Sequence, residues 1–362
     1  MMNIVFDNII FSLQKSGGIS VYWSELISRM VHNHNFEKYF IETKFTHSNI
    51  FRNKLNLENC KIIPEKDRYI NRILPVNYSI EGRNHLFHSS YYRLPGTNKN
   101  CCQITTVHDF IPELIEKNLR TRLLSIQKYK SIKNSDAIIC VSENTKNDLI
   151  KLYPEFIKKE IVVIHNGASH DFYSLNDDFS KEPILEGIKN PFCLFIGKRD
   201  KYKNFDLAVN YIAKVKDLNL VIVGGGKLRE QEYNLLNSKI KGRFCHLNFI
   251  SNKDLNYLYN KAEFLFYPSE YEGFGIPIVE AQKAGCPYIA KKSSSIVELV
   301  ENKDLLLNEL SFNKIDEARL FIKNNRDTIV KEGIENSKKY TWEKSYDCHV
   351  SVYESMYSKK NN

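Results

Sequence analysis

Chemistry is most concentrated in Pro268-Ser269-Glu270-Tyr271-Glu272-Gly273-Phe274-Gly275-Ile276-Pro277-Ile278-Val279-Glu280-Ala281. Gly273 and Gly275 permit an unusual backbone turn, and Pro277 suits the first turn of a helix. Glu272 is then expected in the loop ahead of that helix, and Glu280 about one turn inside it. Two carboxylates at separate depths can hold two sets of sugar hydroxyls. A helix-face glutamate, or the paired acids of a glycosidase, would use the same residue types. A second stretch, Gly197-Lys198-Arg199-Asp200-Lys201-Tyr202-Lys203-Asn204, gathers cations after the apolar run Phe192–Ile196. A diphosphate there would be neutralised by Lys203 and Arg199 through charge-assisted hydrogen bonds. A solvated basic loop is the plainer alternative. Phosphate-binding features of this kind argue against the glycosidase.

Glycines follow opening or strand-like segments at Gly17-Gly18, Gly197 and Gly224-Gly225-Gly226. A glycine turn ahead of a helix lets backbone N–H groups approach an anion, aided by the helix dipole; a tight strand-to-helix turn needs the same glycines. None matches the spaced dinucleotide fingerprint, which counts against a nicotinamide enzyme. His108-Asp109 follows another apolar run. It reads as a structural pair, as part of a hydrolase triad, or as a ligand-positioning histidine. No G-x-S-x-G elbow supplies a serine, and no second carboxylate or histidine stands at metal spacing. No metal site is expected.

These residues must be positioned by alternating strands and helices. Candidate strands are Asn3–Phe6, Tyr39–Glu42, Lys61–Ile63, His85–His88, Gln103–Val107, Ala137–Val141 and Ile161–Ile164. Helical patterns at Ile19–Met30, Leu119–Lys133 and Glu143–Lys151 lie between several of them. The polar stretch Ser174–Asn190 reads as a linker. Alternation restarts with strands at Phe192–Ile196, Leu220–Val223, Phe244–Asn248, Phe264–Tyr267 and Tyr288–Ala290, and helices at Phe205–Val215, Lys227–Lys239, Asn252–Lys261 and Ile276–Lys283. From Lys314 onward only helical patterns appear. Such alternation predicts an α/β architecture with parallel sheets.

The 362 residues suit two domains better than one core. No apolar run approaches about 18 residues, so no membrane-spanning helix is expected. The opening Met1–Asp7 has no basic n-region, and no signal peptide is expected. Eight scattered cysteines, with no C-x-x-C, suggest reduced thiols and a cytoplasmic setting. The net charge of +9 is spread along the chain, without an arginine-rich tail or a nucleic-acid motif, so a nucleic-acid partner is not expected. Leu119–Lys133 mixes apolar residues with Arg120, Arg122, Lys128, Lys130 and Lys133. It reads as a core-facing helix with a solvated basic face, with a peripheral membrane contact as the alternative.

The Glu272-to-Glu280 spacing resembles the E-x7-E signature of the retaining glycosyltransferases of family 4, also called glycosyl transferase group 1. Gly17-Gly18-Ile19-Ser20, Thr106-Val107-His108-Asp109, Val141-Ser142-Glu143-Asn144-Thr145, His165-Asn166-Gly167, the Gly197–Asn204 loop, Val221–Gly226 and Leu258–Ala262 follow that family's order. The resemblance covers nearly the whole chain. It implies a GT-B fold, with two Rossmann-like domains facing a central cleft: residues 1–180 for the acceptor, 181–340 for the nucleotide-sugar, and a helix, 341–362, crossing back to the first domain.

By the same resemblance, Lys203 and Arg199 hold the donor diphosphate, Glu280 the ribose and Glu272 the transferred sugar, with His108 near the reacting end. The donor-binding set it implies is Gly17, Gly18, Gly197, Arg199, Lys203, Phe249, Ile250, Glu272, Gly273, Phe274, Gly275 and Glu280. Many relatives carry Arg-Lys-Asn where this chain has Tyr202-Lys203-Asn204, so the arginine role falls to Arg199. The implied activity is transfer from a nucleotide diphosphate-sugar to an acceptor hydroxyl, without a metal. The expected acceptor is a growing surface polysaccharide such as O-antigen or capsule, carried on a polyprenyl lipid. A sugar phosphorylase, a nucleotide-sugar epimerase and a non-catalytic nucleotide-sugar-binding partner are the alternatives.

Overall fold

Strand runs such as Phe264-Leu265-Phe266-Tyr267 are apolar at every position, as parallel strands covered on both faces require. The computed structural model describes all residues except 59, 69, 81–83, 97–99, 117, 176–181, 190 and 362, and the side chains at 120 and 361 also lie outside the description. The chain divides into two units, Met1–Asn166 with Trp342–Asn362, and Gly167–Thr341.

The first unit holds a parallel sheet of β1 (Met2–Asp7), β2 (Phe36–Glu42), β3 (Lys61–Pro64), β4 (His85–Ser89), β5 (Cys101–Val107), β6 (Ala137–Cys140) and β7 (Glu160–Val163), in the order β3-β2-β1-β4-β5-β6-β7. Its principal helices are α1 (Gly18–Met30), α2 (Leu119–Asn134), α3 (Glu143–Leu152) and the C-terminal helix Trp342–Asn361. The C-terminal helix packs on α1, β4 and β5. Its buried stripe is Trp342, Ser345, His349, Val352, Tyr353 and Met356, a helical repeat with one polar pair inside it.

The second unit holds β8 (Phe192–Ile196), β9 (Asn219–Val223), β10 (Phe244–Leu247), β11 (Phe264–Tyr267), β12 (Tyr288–Lys291) and β13 (Leu306–Leu307), in the order β10-β9-β8-β11-β12-β13, all parallel. Its helices are α4 (Phe205–Lys214), α5 (Glu230–Ile240), α6 (Asn252–Lys261), α7 (Ile276–Lys283) and α8 (Phe312–Ser337). Strand order reverses between β8, β9 and β11, and a doubly wound sheet binds ligands beyond the strand ends at such a point. Register brings those ends level: Ile196 lies beside Val223, and Tyr267 beside Ala290.

Three expectations need correction. Helix α5 starts at Glu230, not Lys227, because Gly224, Gly225 and Gly226 all take positive φ and the Lys227 carbonyl accepts from Arg199. Strand β13 is two residues long, too short to show a period. The linker expected at Ser174–Asn190 falls partly on residues 176–181 and 190, outside the described residues, as does the boundary at 180. Its flanks are packed within the second unit. Tyr173 N and Leu175 N donate to Asn256 and Asn260 of α6, Lys283 Nζ donates to Ser169 O, and Leu185 is buried. The units therefore divide at Asn166–Gly167. All eight cysteines are free thiols.

Candidate functional site

The turn after β8 is built around Arg199. Its Nε donates to Glu232 at 2.9 Å, and its guanidinium donates to the carbonyls of Gly224, Gly225, Gly226 and Lys227 at 2.9–3.2 Å. The side chain is almost fully buried. A Cβ on Gly225 would stand 2.5 Å from both Arg199 Nη1 and Gly197 O, so only glycine lets the two turns close on each other. The assignment of Arg199 to a diphosphate is therefore corrected: its donors are spent on the glycine turn, which it shapes. Lys198, next to it, is exposed, and no ion pair engages it among the described residues.

Lys203 ends a short 3-10 turn and is followed by Asn204 in the left-handed region, φ 52°. Asn204 Nδ2 donates to Pro268 O and Glu270 Oε1, and Glu270 N donates to Tyr202 O. These bonds fasten the turn after β8 to the loop after β11. Lys203 Nζ pairs with Glu272 and lies 5.5 Å from the ring centroids of Tyr202 and Tyr267. The Tyr267 hydroxyl also bonds Glu272.

The loop holding Glu272 is braced from behind by three serines after β12. Ser294 Oγ accepts from Glu272 N, Ser295 Oγ donates to the carbonyls of Glu272 and Phe274, and Ser293 Oγ donates to Ser269 O. Ser294 has φ 41°, strain of the kind that a tightly braced loop sustains. Gly275 has φ 112°, and a Cβ there would meet Ile296 Cδ1 at 2.6 Å; Gly275 thus starts α7 where no other residue fits. Glu280 follows one turn inside α7. The Tyr259 hydroxyl donates to it at 3.0 Å, and burial of its carboxyl pushes the pKa up to about 7 against that hydrogen bond.

Gly197, Lys203, Glu272, Gly273, Phe274, Gly275 and Glu280 thus stand at the ends of the adjacent strands β8 and β11 or in the helix that follows. Phe249 and Ile250 lie beyond β10 at the same end of that sheet, Phe249 exposed. Sequence reasoning missed Lys198 and the serine brace. The run Ser293-Ser294-Ser295 right after a strand was the available signal.

Gly17, Gly18 and His108 belong to the first unit. Helix α1 begins with no side-chain cap, so its first N–H groups point outward from an electropositive end. A Cβ on Gly18 would meet nothing within 4 Å, whereas one on Gly17 would stand 2.5 Å from Gln14 Oε1. His108 follows β5 with its ring edge-on to Tyr22, centroids 4.9 Å apart. Burial, then the charges of Lys128 and His349, push its pKa down to about 3, leaving a neutral imidazole. Asp109 Oδ1 accepts from Ile111 N.

Comparison with known proteins adds the family. The family model described as Glycosyltransferase Family 4 matches residues 16–172, and that described as Glycosyl transferases group 1 matches residues 176–336. An uncharacterised glycosyltransferase of Methanocaldococcus jannaschii is 30% identical over 261 residues, 70% of this chain and 68% of the relative. O-antigen chain mannosyltransferase B of Escherichia coli is 24% identical over 291 residues, 75% of this chain and 74% of the relative. Among solved structures, sucrose-phosphate synthase of Thermosynechococcus elongatus superposes with a TM-score of 0.77 at 16% identity, covering 99% of this chain and 100% of that one. Anabaena HepE in complex with UDP-glucose gives 0.75 at 14% identity, covering 98% and 100%.

Proposed function

Because this chain belongs to the glycosyl transferases of group 1 and family 4 and has their GT-B fold, we propose that it moves a sugar from a nucleotide diphosphate-sugar to an acceptor hydroxyl, with retention at the anomeric carbon. The observation that carries this reading is the Lys203–Glu272 pair where the β8 and β11 loops meet, with Glu280 one turn further on. Glu280 takes the ribose hydroxyls, and Glu272 takes hydroxyls of the sugar. Lys203 turns from Glu272 toward the diphosphate as it enters, joined by Lys198 rather than Arg199. The uncapped end of α7 adds N–H donors and dipole.

In the reaction the bond from the anomeric carbon to the β-phosphate oxygen breaks, and the electron pair leaves with the diphosphate. The acceptor oxygen attacks from the face being vacated and passes its proton to that leaving oxygen. With Lys203 turned to the diphosphate, Glu272 accepts hydrogen bonds from sugar hydroxyls and holds the sugar rather than attacking it. Growing charge on the diphosphate is met by preorganised donors, each typically worth about 3–4 kcal/mol in the transition state, so the reading includes no metal. Neutral His108, in the first unit, offers a hydrogen bond to the substrate. Likeness to an O-antigen mannosyltransferase supports a lipid-linked surface polysaccharide as acceptor. A thermal-shift screen of GDP-, UDP- and TDP-sugars tests the reading: a ligand at about 100 times its Kd adds about 2.7 kcal/mol, and no response to any donor would count against it.

A further inference from the structure

Helix α2 wears its polarity inside out. Beside the apolar Ile132, its inward residues include the polar Thr121, Lys128 and Ser131, all buried. They are satisfied by polar partners: Ser131 Oγ bonds Thr105 and Gln103, and Lys128 Nζ donates to Asp109 O and Glu113. The outward face instead carries Leu119, Leu123 and Ile126, which are 78, 59 and 48% exposed. Their i, i+4, i+7 spacing forms one stripe. Gln127 Nε2 donates to Arg72 O, which holds the neighbouring loop beside the helix and adds Ile70 and Ile73, 51 and 56% exposed. The helix thus has the expected inward face and exposed cations, Arg122, Lys130 and Lys133, but its outer face is also apolar. Apolar surface gathered in this way marks a contact site.

Charge identifies the partner. Helix α2 contains five cations and no acid. Lys130 and Lys133 are exposed and continue the apolar face, and exposed Arg122 flanks it. A second copy of the chain would set cations against cations. We propose that this face docks on an anionic lipid bilayer, with the leucines and isoleucines at the acyl boundary and the lysines against lipid phosphates. The docking goes beyond the sugar-transfer reading and uses none of the donor-site residues.

Co-sedimentation of the whole protein with vesicles of phosphatidylcholine, alone or mixed equally with phosphatidylglycerol, tests it. Binding is expected only to the anionic vesicles and should weaken with salt. The combined variant Leu119→Gln, Leu123→Gln, Ile126→Gln should lower partitioning about tenfold or more, and Lys130→Gln with Lys133→Gln by a similar factor. Turnover on a water-soluble acceptor should not change. Wild-type protein remaining in the supernatant, undiminished binding by either variant, or a concentration-dependent dimer abolished by the apolar variant would overturn the docking. Nucleotide-sugar binding measured on the same samples keeps the two ideas apart: its loss from wild type would strike the transferase reading, not this one.

Discussion

The Tyr22 hydroxyl lies 2.7 Å from Nε2 of His349, joining the first long helix of its unit to the last. The bonds around the pair fix their direction. His349 Nδ1 donates to Ser345 O, so Nε2 accepts from Tyr22. Thr106 Oγ1 can then donate to Tyr22, His88 Nε2 to Thr106, and the Tyr353 hydroxyl to His88 Nδ1. Both histidines are neutral: burial pushes His349 down to about 4 and His88 well below its ordinary value. Tyr22 also carries the ring that meets His108. His349→Ala should cost about 1–3 kcal/mol of stability and lower kcat more than it raises KM. Denaturant midpoints and steady-state kinetics measure both, and a variant with wild-type values in each would show the chain of bonds to be idle.

Arg199 and Lys198 should separate cleanly. Arg199→Ala leaves the carbonyls of the glycine turn without their donor, while Glu232 keeps Arg229, and should cost about 1–3 kcal/mol. Lys198→Ala should stay within about 0.5 kcal/mol of wild type in stability, yet weaken binding of a nucleoside diphosphate. Melting curves and nucleotide titrations of both variants decide this. A stable Arg199→Ala protein with weakened nucleotide binding would return the arginine to the phosphate.

How much of this was legible in the sequence differs from residue to residue. Lys203, Glu272 and Glu280 were readable because their spacing around glycines and a proline has few other uses. Arg199 was misread because a sequence shows a cation but not the four carbonyls that surround it. The outward stripe of α2 was missed for a related reason. Leucines at helical spacing ordinarily face a core, and only the fold shows that serine, threonine and lysine share that side with Ile132. The parallel strands were plain from their apolar runs, whereas β13 had too few residues to make a pattern.

Glu280 should give nucleotide binding a pH dependence near neutrality. A raised carboxyl pKa stabilises the unliganded fold at low pH, and that contribution is lost as pH rises through about 7. Ribose hydroxyls donate to the charged carboxylate, so affinity should rise over the same range, and binding at pH 7 should release about half a proton. Calorimetry in buffers of different ionisation enthalpy measures the release. Glu280→Gln should abolish it. Persistence of the release in that variant would assign it to another group.

Transfer should survive exhaustive treatment with a chelator, since Lys203 and Lys198 with the end of α7 supply the positive charge. Activity lost with EDTA and regained with manganese or magnesium would require a metal at the diphosphate.

The central claim is that Glu272 and Glu280 divide one nucleotide-sugar between them, and titration calorimetry tests it most directly. The full-length protein and its Glu272→Ala and Glu280→Ala variants would each be titrated with the preferred nucleotide-sugar and with the corresponding free nucleoside diphosphate. Glu280→Ala should weaken both ligands by a similar factor. Glu272→Ala should weaken the nucleotide-sugar by about tenfold or more, as loss of a charged hydrogen-bond acceptor does, while leaving the free nucleotide nearly unchanged. Equal losses for both ligands in both variants, or no loss in either, would contradict the account.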